Sequence, residues 1–328
     1  MKEPLRVHEK SALRVAAFLD GRPGHEKQTK SILTAMARMT PVDIRFINIQ
    51  PGSFLKGLLD WVRYLGSRFF LPTGLEDVVS LDLIIGTGAF THIPMIRLKR
   101  KCTAKLVTCM TPAFSLIREF DLCFIPRHDR PVPGKNIMVT TGPPICPGLT
   151  RAPDPLKGLV LIGGIDRRSH RWRSDMLIEQ VRTILTKEKA LTWTIASSRR
   201  TPKQTIDGIE KLLTQTGHHS FYRAEDTPAG WIETQYKENS FVWVTADSIS
   251  MIFEAITAGC RVGILPVEWK SQRSKFKRCV EELIEKRWVS SFDRWISGNQ
   301  EMTERKELNE AARCAVEILK RWWPDRLK

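Results

Sequence analysis

Several signatures common among nucleotide-handling enzymes are missing from this chain, and each absence closes a class of function. No GxxxxGK(S/T) occurs, which excludes an ATPase P-loop. No GxGxxG follows the first strand-like run, so NAD binding has little support. No Asp-x-Asp pair and no His/Glu cluster offers a metal site. The seven cysteines are scattered, odd in number and without a CxxC pair. That excludes a disulfide framework and structural zinc, and points to a reducing compartment. No apolar run reaches the roughly 18–20 residues that span a bilayer. Lys2, Glu3, Arg6 and Glu9 stand before the first apolar run, unlike a signal peptide. The expectation is a cytoplasmic protein, soluble or peripheral on the inner face of the membrane.

What is present suits a globular protein with an anionic partner. The 328 residues allow two domains of ordinary size, and 42% hydrophobic residues with ten tryptophans supply sizeable cores. A net charge of +16 calls for nucleic acid, a nucleotide or an acidic membrane surface. With no dense Lys/Arg tail and no RNA-binding aromatic signature, nucleic acid is the weakest of the three.

Strand-like and helix-like runs alternate twice. Arg14 to Leu19, Val42 to Ile49, Leu81 to Ile85, Lys105 to Met110 and Leu122 to Ile125 read as strands, with a helix from about Gln28 to Arg38. A proline- and glycine-rich tract, Pro126 to Pro155, reads as a linker. Strands then resume at Gly158 to Ile162, Leu191 to Ala196, Ser220 to Arg223, Phe241 to Val244 and Val262 to Leu265. Helices are expected at Ser174 to Thr186, Lys203 to Thr214 and from Ser248 to a stop at Gly259. This predicts an α/β protein with two parallel-sheet domains, residues 1–150 and 151–302, facing a cleft, and an amphipathic C-terminal helix over 303–328.

Candidate chemistry gathers where strands end. Gly21 and Gly24, Gly86 and Gly88, and Gly163 and Gly164 each follow a strand, where glycine lets backbone N–H groups approach an anion. Asp20 and His25 flank the first turn and have the chemistry of a general base; capping a turn and a helix explains them equally well. Arg199 and Arg200, in Ser197-Ser-Arg-Arg-Thr-Pro202, bring two guanidinium forks suited to a diphosphate. Asp247, Ser248 and Ser250 open a helix at a strand end, where a phosphate would sit. Glu254, one to two turns further in, is placed to grip ribose hydroxyls. Phe54 to Phe70 and Trp322-Trp323 set apolar faces beside basic residues, a pattern that fits a membrane surface or a buried core helix.

Asp20-Gly-Arg-Pro-Gly-His25, Ser198-Arg-Arg-Thr-Pro202 and Asp247-Ser-Ile-Ser-Met-Ile-Phe-Glu-Ala255 together resemble the mitochondrial fission Elm family over nearly the whole chain. Plant members are named for mitochondrial fission; bacterial members are regarded as glycosyltransferases of outer-core lipooligosaccharide. More distantly the layout is similar to GT-B glycosyltransferases of the lipid II-forming kind, with Gly86-Thr-Gly-Ala-Phe-Thr-His92 as a second glycine turn. The resemblance implies a GT-B fold and a nucleotide-diphosphate sugar as donor substrate, with no further cofactor and no metal. It implies donor contacts from Gly163, Gly164, Ser198, Arg199, Arg200, Asp247, Ser248, Ser250 and Glu254. Asp20 or His25 would activate an acceptor, lipid-linked or of the cell envelope, near Gly21, Gly24, Gly86 and Gly88. Arg22-Pro23 replaces the small residues expected of a lipid-diphosphate cradle. The competing expectation is a non-enzymatic membrane adaptor on the same scaffold, since folds outlive functions.

Overall fold

The computed structural model describes residues 11–49, 80–147, 153–216 and 219–327. The chain divides into two compact units, Met1–Cys146 with Asn309–Lys328 and Pro147–Leu308. The Phe54 to Phe70 segment lies outside the described residues.

The first unit runs β1 (Leu13–Leu19), α1 (Pro23–Ala37), β2 (Val42–Asn48), β3 (Leu83–Thr87), α2 (Ala89–Lys99), β4 (Lys105–Cys109), β5 (Leu122–Pro126) and β6 (Ile137–Thr140). All six strands pair in parallel, in the order β2-β1-β3-β4-β5-β6. Interior strands such as β3, Leu-Ile-Ile-Gly-Thr, are buried along their whole length, as a sheet covered on both faces requires. Alternate residues feed two cores: Val15 and Ala17 join Ile32, Met36 and Ile85 on one face, while Ala16 and Phe18 join Ile84, Met95 and Leu106 on the other.

The second unit contains β7 (Asp154–Leu161), β8 (His170–Arg171), α3 (Ser174–Lys187), β9 (Thr192–Ala196), α4 (Lys203–Leu213), β10 (Ser220–Tyr222) and α5 (Trp231–Glu238). It continues with β11 (Asn239–Thr245), α6 (Ile249–Thr257), β12 (Arg261–Leu265), β13 (Glu268–Trp269), α7 (Lys275–Glu285), β14 (Ser290–Ser291) and α8 (Phe292–Ile296). Its parallel sheet is ordered β10-β9-β7-β11-β12-β14, and β8 pairs with β13 in a short antiparallel ribbon. Two fully buried indoles fill this core by lying across glycines on neighbouring strands: Gly158 pairs with Trp193 and Gly263 with Trp243. A Cβ at either glycine would come within 2.4 Å of the facing ring, so neither position admits a side chain.

The chain then returns to the first unit as α9 (Glu310–Trp322), which packs on α1. Three local expectations need correcting. The first helix starts at Pro23, five residues before Gln28, because proline is pre-shaped for the first helical turn. The proline-rich tract is not merely a linker: Ile137–Thr140 forms the sixth strand of the first sheet. The C-terminal helix starts at Glu310 and not Thr303, because Asn309 caps it by accepting from Ala312 N at 3.0 Å.

That last helix also changes the reading of the tail. Ala311, Cys314, Ala315, Ile318 and Leu319 are buried in the core of the first unit. Trp322 and Trp323 pack partly buried against the same cluster, with Lys105 Nζ 5.7 Å from the Trp322 ring. The apolar face of the tail therefore covers protein. Among the described residues no helix is long and apolar enough to cross a membrane.

Candidate functional site

In open α/β sheets the strand order reverses at one point, and the loops there splay apart to leave a crevice at the carboxyl ends of the strands. In the first unit the reversal falls between β1 and β3, and in the second between β7 and β11. The sequence-predicted residues fall on these two points, one set in each unit.

At the first reversal Asp20 directly follows β1 and is completely buried. Its Oδ1 accepts from Arg22 N at 3.2 Å, and its Oδ2 lies 2.8 Å from His25 Nδ1. His25 sits in the first turn of α1, with its side chain 19% exposed. A carboxylate so placed accepts from Nδ1–H, which leaves Nε2 as the lone pair of the neutral imidazole.

The neighbouring loop fits tightly against this pair. A Cβ on Gly88 would stand 2.4 Å from both Asp20 Oδ2 and His25 Nδ1, and Gly88 has φ +106°. Gly88 is therefore required by the Asp20–His25 pair itself. The other glycines behave differently: Gly86 packs against Phe18 and Met95, Gly21 has φ +76° with open space beside it, and Gly24 lies within α1 with open space. Neither α1 nor α2 has a side-chain cap, so two helix N-termini end uncapped at this reversal.

Behind the pair lies a second histidine. His92 is 2% exposed, and its Nε2 is 3.2 Å from Thr108 Oγ1, which donates to Gly86 O at 3.0 Å. Because the Thr108 hydrogen is used on Gly86, Nε2 of His92 must donate, which fixes its tautomer. Burial lowers the His92 pKa from 6.5 to about 4, the charge of nearby His25 pushes the same way, and Asp20 opposes them. His92 stays neutral and fills the space behind the pair without competing for its proton.

At the second reversal three loops are tied together. After β7, Gly163 N donates to Thr245 Oγ1 at 2.8 Å and Gly164 N to Asp247 Oδ2 at 3.1 Å. After β9, Ser198 Oγ donates to Gly163 O at 2.7 Å, and Thr201 Oγ1 reaches the same carbonyl. Arg200 Nη2 lies 2.9 Å from Asp247 Oδ2 and 3.3 Å from Ser248 Oγ, while Nη1 donates to Gly164 O at 3.2 Å. Gly163 and Gly164 are required by this packing: a Cβ on Gly163 would strike the Asp247 carboxylate at 2.3 Å, and one on Gly164 the Arg200 carbonyl at 2.1 Å. Their N–H groups are committed to protein acceptors, contrary to the expectation that they stand open to a phosphate.

What remains open is the start of α6. Its apolar stripe, Ile249, Ile252, Phe253 and Ile256, is buried at helical spacing. Ser248 is buried, and its hydroxyl turns to Asp247 Oδ2 at 3.2 Å instead of capping the helix. Ser250 is exposed, and Glu254, one turn on, is half-buried and close enough to Tyr236 to help raise that phenol's pKa after the larger effect of burial. Arg199 is exposed.

Sequence reasoning missed His170, which is buried, lies 3.1 Å from Gly164 O through Nε2, and packs beside Trp172 and Trp269. It follows an irregular loop with no periodicity to mark it. Thr245 and Thr201 were missed as ties because their partners are distant in sequence. Among the described residues no group of three His, Cys, Asp or Glu side chains stands ready for a metal ion.

Comparison with known proteins places this architecture. A family model described as mitochondrial fission ELM1 matches residues 23–322. No curated protein matches the chain by sequence. Among solved structures, UDP-GlcNAc 2-epimerase from Methanocaldococcus jannaschii is similar at TM-score 0.61 and 12% identity, over 94% of this chain and 100% of that one. UDP-GlcNAc 2-epimerase from Neisseria meningitidis, bound to UDP-GlcNAc, is similar at TM-score 0.51 and 12% identity, over 94% and 100% of the two chains. MurG of Acinetobacter baumannii is similar at TM-score 0.50 and 11% identity, over 96% and 92%. At these identities the likeness establishes the fold, which is of the GT-B type.

Proposed function

This chain belongs to the mitochondrial fission ELM1 family, and from that premise we propose that it is a glycosyltransferase whose donor is a nucleotide-diphosphate sugar. The observation that carries the reading is the Asp20–His25 pair: a buried carboxylate fixing a part-exposed imidazole at a strand-order reversal. That pairing holds the ring in one orientation and leaves Nε2 ready to take a proton from an acceptor hydroxyl. The freed oxygen attacks the anomeric carbon as the bond to the diphosphate breaks, and the nucleoside diphosphate departs with that electron pair.

The second unit holds the groups that would take the charge of a nucleoside diphosphate. The uncapped N-terminus of α6, with Ser250 beside it, offers backbone N–H groups and the positive end of a dipole. Arg199 and Arg200 supply guanidinium charge, and Glu254 is the candidate for the ribose hydroxyls. The similar folds of two UDP-GlcNAc 2-epimerases, one of them bound to UDP-GlcNAc, support a nucleotide sugar. A cell-envelope acceptor of the lipooligosaccharide-core kind, met at the inner membrane face, completes the reading; the net charge of +16 favours such an anionic surface.

Calorimetric titration with UDP, GDP, CMP and their sugar conjugates tests this, beside Glu254→Ala. Saturable binding of one nucleotide, weakened about tenfold or more in the variant, is the expected result. No binding by a folded protein would sink the transferase reading and favour the adaptor.

A further inference from the structure

An acid stands in the middle of the group expected to receive an anion. The Asp247 side chain is 1% exposed, and one of its oxygens gathers three donors: Gly164 N at 3.1 Å, Arg200 Nη2 at 2.9 Å and Ser248 Oγ at 3.2 Å. Asp247 Oδ1 is buried without a hydrogen-bond partner, against Gly163. This carboxylate is locked among three strand ends and is shielded from any ligand. A direct donor contact from Asp247, implied by the family resemblance, does not fit that burial.

Arg200 is its complement. The side chain is 45% exposed, so it forms the solvent edge of the same cluster. A guanidinium carries five N–H donors in a rigid planar fork. Three hydrogen bonds, to Gly164 O, Asp247 Oδ2 and Ser248 Oγ, hold the two terminal nitrogens. Among the described residues no protein acceptor takes Nε–H or the second Nη1 hydrogen. Nε–H and Nη1 lie on opposite sides of the guanidinium, so each of these donors can meet a separate anionic oxygen.

We propose that Asp247 is a positioning residue that acts through Arg200. The buried carboxylate and Gly164 O fix the plane of the guanidinium, so that its remaining donors meet the diphosphate of a nucleoside diphosphate. Holding the fork in place before the ligand arrives removes the ordering cost that a free arginine would carry on binding. The carboxylate offsets part of the positive charge, and what it contributes in return is direction. This assignment rests on the donor-site reading above and deepens it.

The test is calorimetry with inorganic pyrophosphate, UDP and GDP, beside uridine and guanosine, on the full chain. Asp247→Asn is expected to weaken the diphosphate ligand that binds about tenfold while leaving its nucleoside unchanged. Arg200→Met should weaken the same ligand, and adding Asp247→Asn to it should cost nothing more, because the two act as one unit. Arg200→Lys alters only the rim, keeps the charge and loses the fork; a comparable loss is expected even if Asp247→Asn proves unstable. Tighter diphosphate binding in Asp247→Asn would show that the carboxylate competes with phosphate, and would overturn the assignment. Equal losses for diphosphate and nucleoside, or additive losses in the double variant, would overturn it too. Wild-type protein that binds none of the diphosphates would overturn the donor-site reading and this assignment together. Wild-type binding that Asp247→Asn leaves unchanged would overturn this assignment alone.

Discussion

The two units use the same sheet differently. Both are six-stranded and parallel, and both bring their chemistry to the carboxyl ends of strands where the order reverses. In the first unit the reversal holds a carboxylate–imidazole pair, Asp20 and His25, backed by a neutral His92. In the second it holds a knot of hydrogen bonds around an ion pair, Arg200 with Asp247. The fold decides where a crevice opens, while loops of a few residues decide which side chains stand in it.

Separating the two roles gives the largest expected effect. His25→Gln keeps a side chain of similar size but removes the base, so turnover of the bound donor should fall by about 10²–10⁴-fold. Nucleotide affinity, assigned to the second unit, should stay within about twofold. A large loss of affinity with little loss of turnover would break the comparison, because it would move donor recognition onto His25.

The neutrality of His92 gives the next. Its pKa of about 4 lies below the ordinary 6.5, so the unfolded chain takes this proton before the folded one does. The stability that depends on a neutral His92 is complete above pH 6.5 and is lost as pH falls toward 4, by at most about 3 kcal/mol. Urea unfolding of the wild type at pH 7 and at pH 4 should differ more than that of His92→Gln, by about this amount. Equal pH dependence in the two proteins would show that the first reversal contains no buried neutral imidazole of this kind.

Much of this division was legible in the sequence. Apolar runs broken by Gly21, Gly88 and Gly163 mark strand ends, and Asp247-Ser248 after Phe241 to Val244 marks a helix start at one of them. Signals that depend on one residue's neighbours in the chain survive translation into structure. Signals that depend on which loop meets which do not. Nothing local shows that the Gly164 N–H is taken by Asp247, or that Gly88 yields its side chain to His25 from another loop. The β6 strand was hidden because four residues between prolines carry too little pattern to outweigh the breakers around them.

Helix starts sharpen the comparison on a smaller scale. Among the described α-helices, α9 alone has its N-terminus capped by a side chain, through Asn309 Oδ1 and Ala312 N. The helices at the two reversals, α1, α2 and α6, have no side-chain cap, although Ser248 stands at the α6 cap position. The lack of a side-chain cap does not set the reversals apart, since α3, α4, α5, α7 and α8 lack one too; what is particular is the cap on α9. Asn309→Ala should therefore cost the protein about 1 kcal/mol in urea unfolding, the usual worth of a cap, and leave nucleotide binding unchanged. If the substitution instead altered nucleotide affinity at constant stability, the start of α9 would belong to the nucleotide site and would not be a packing element of the first unit.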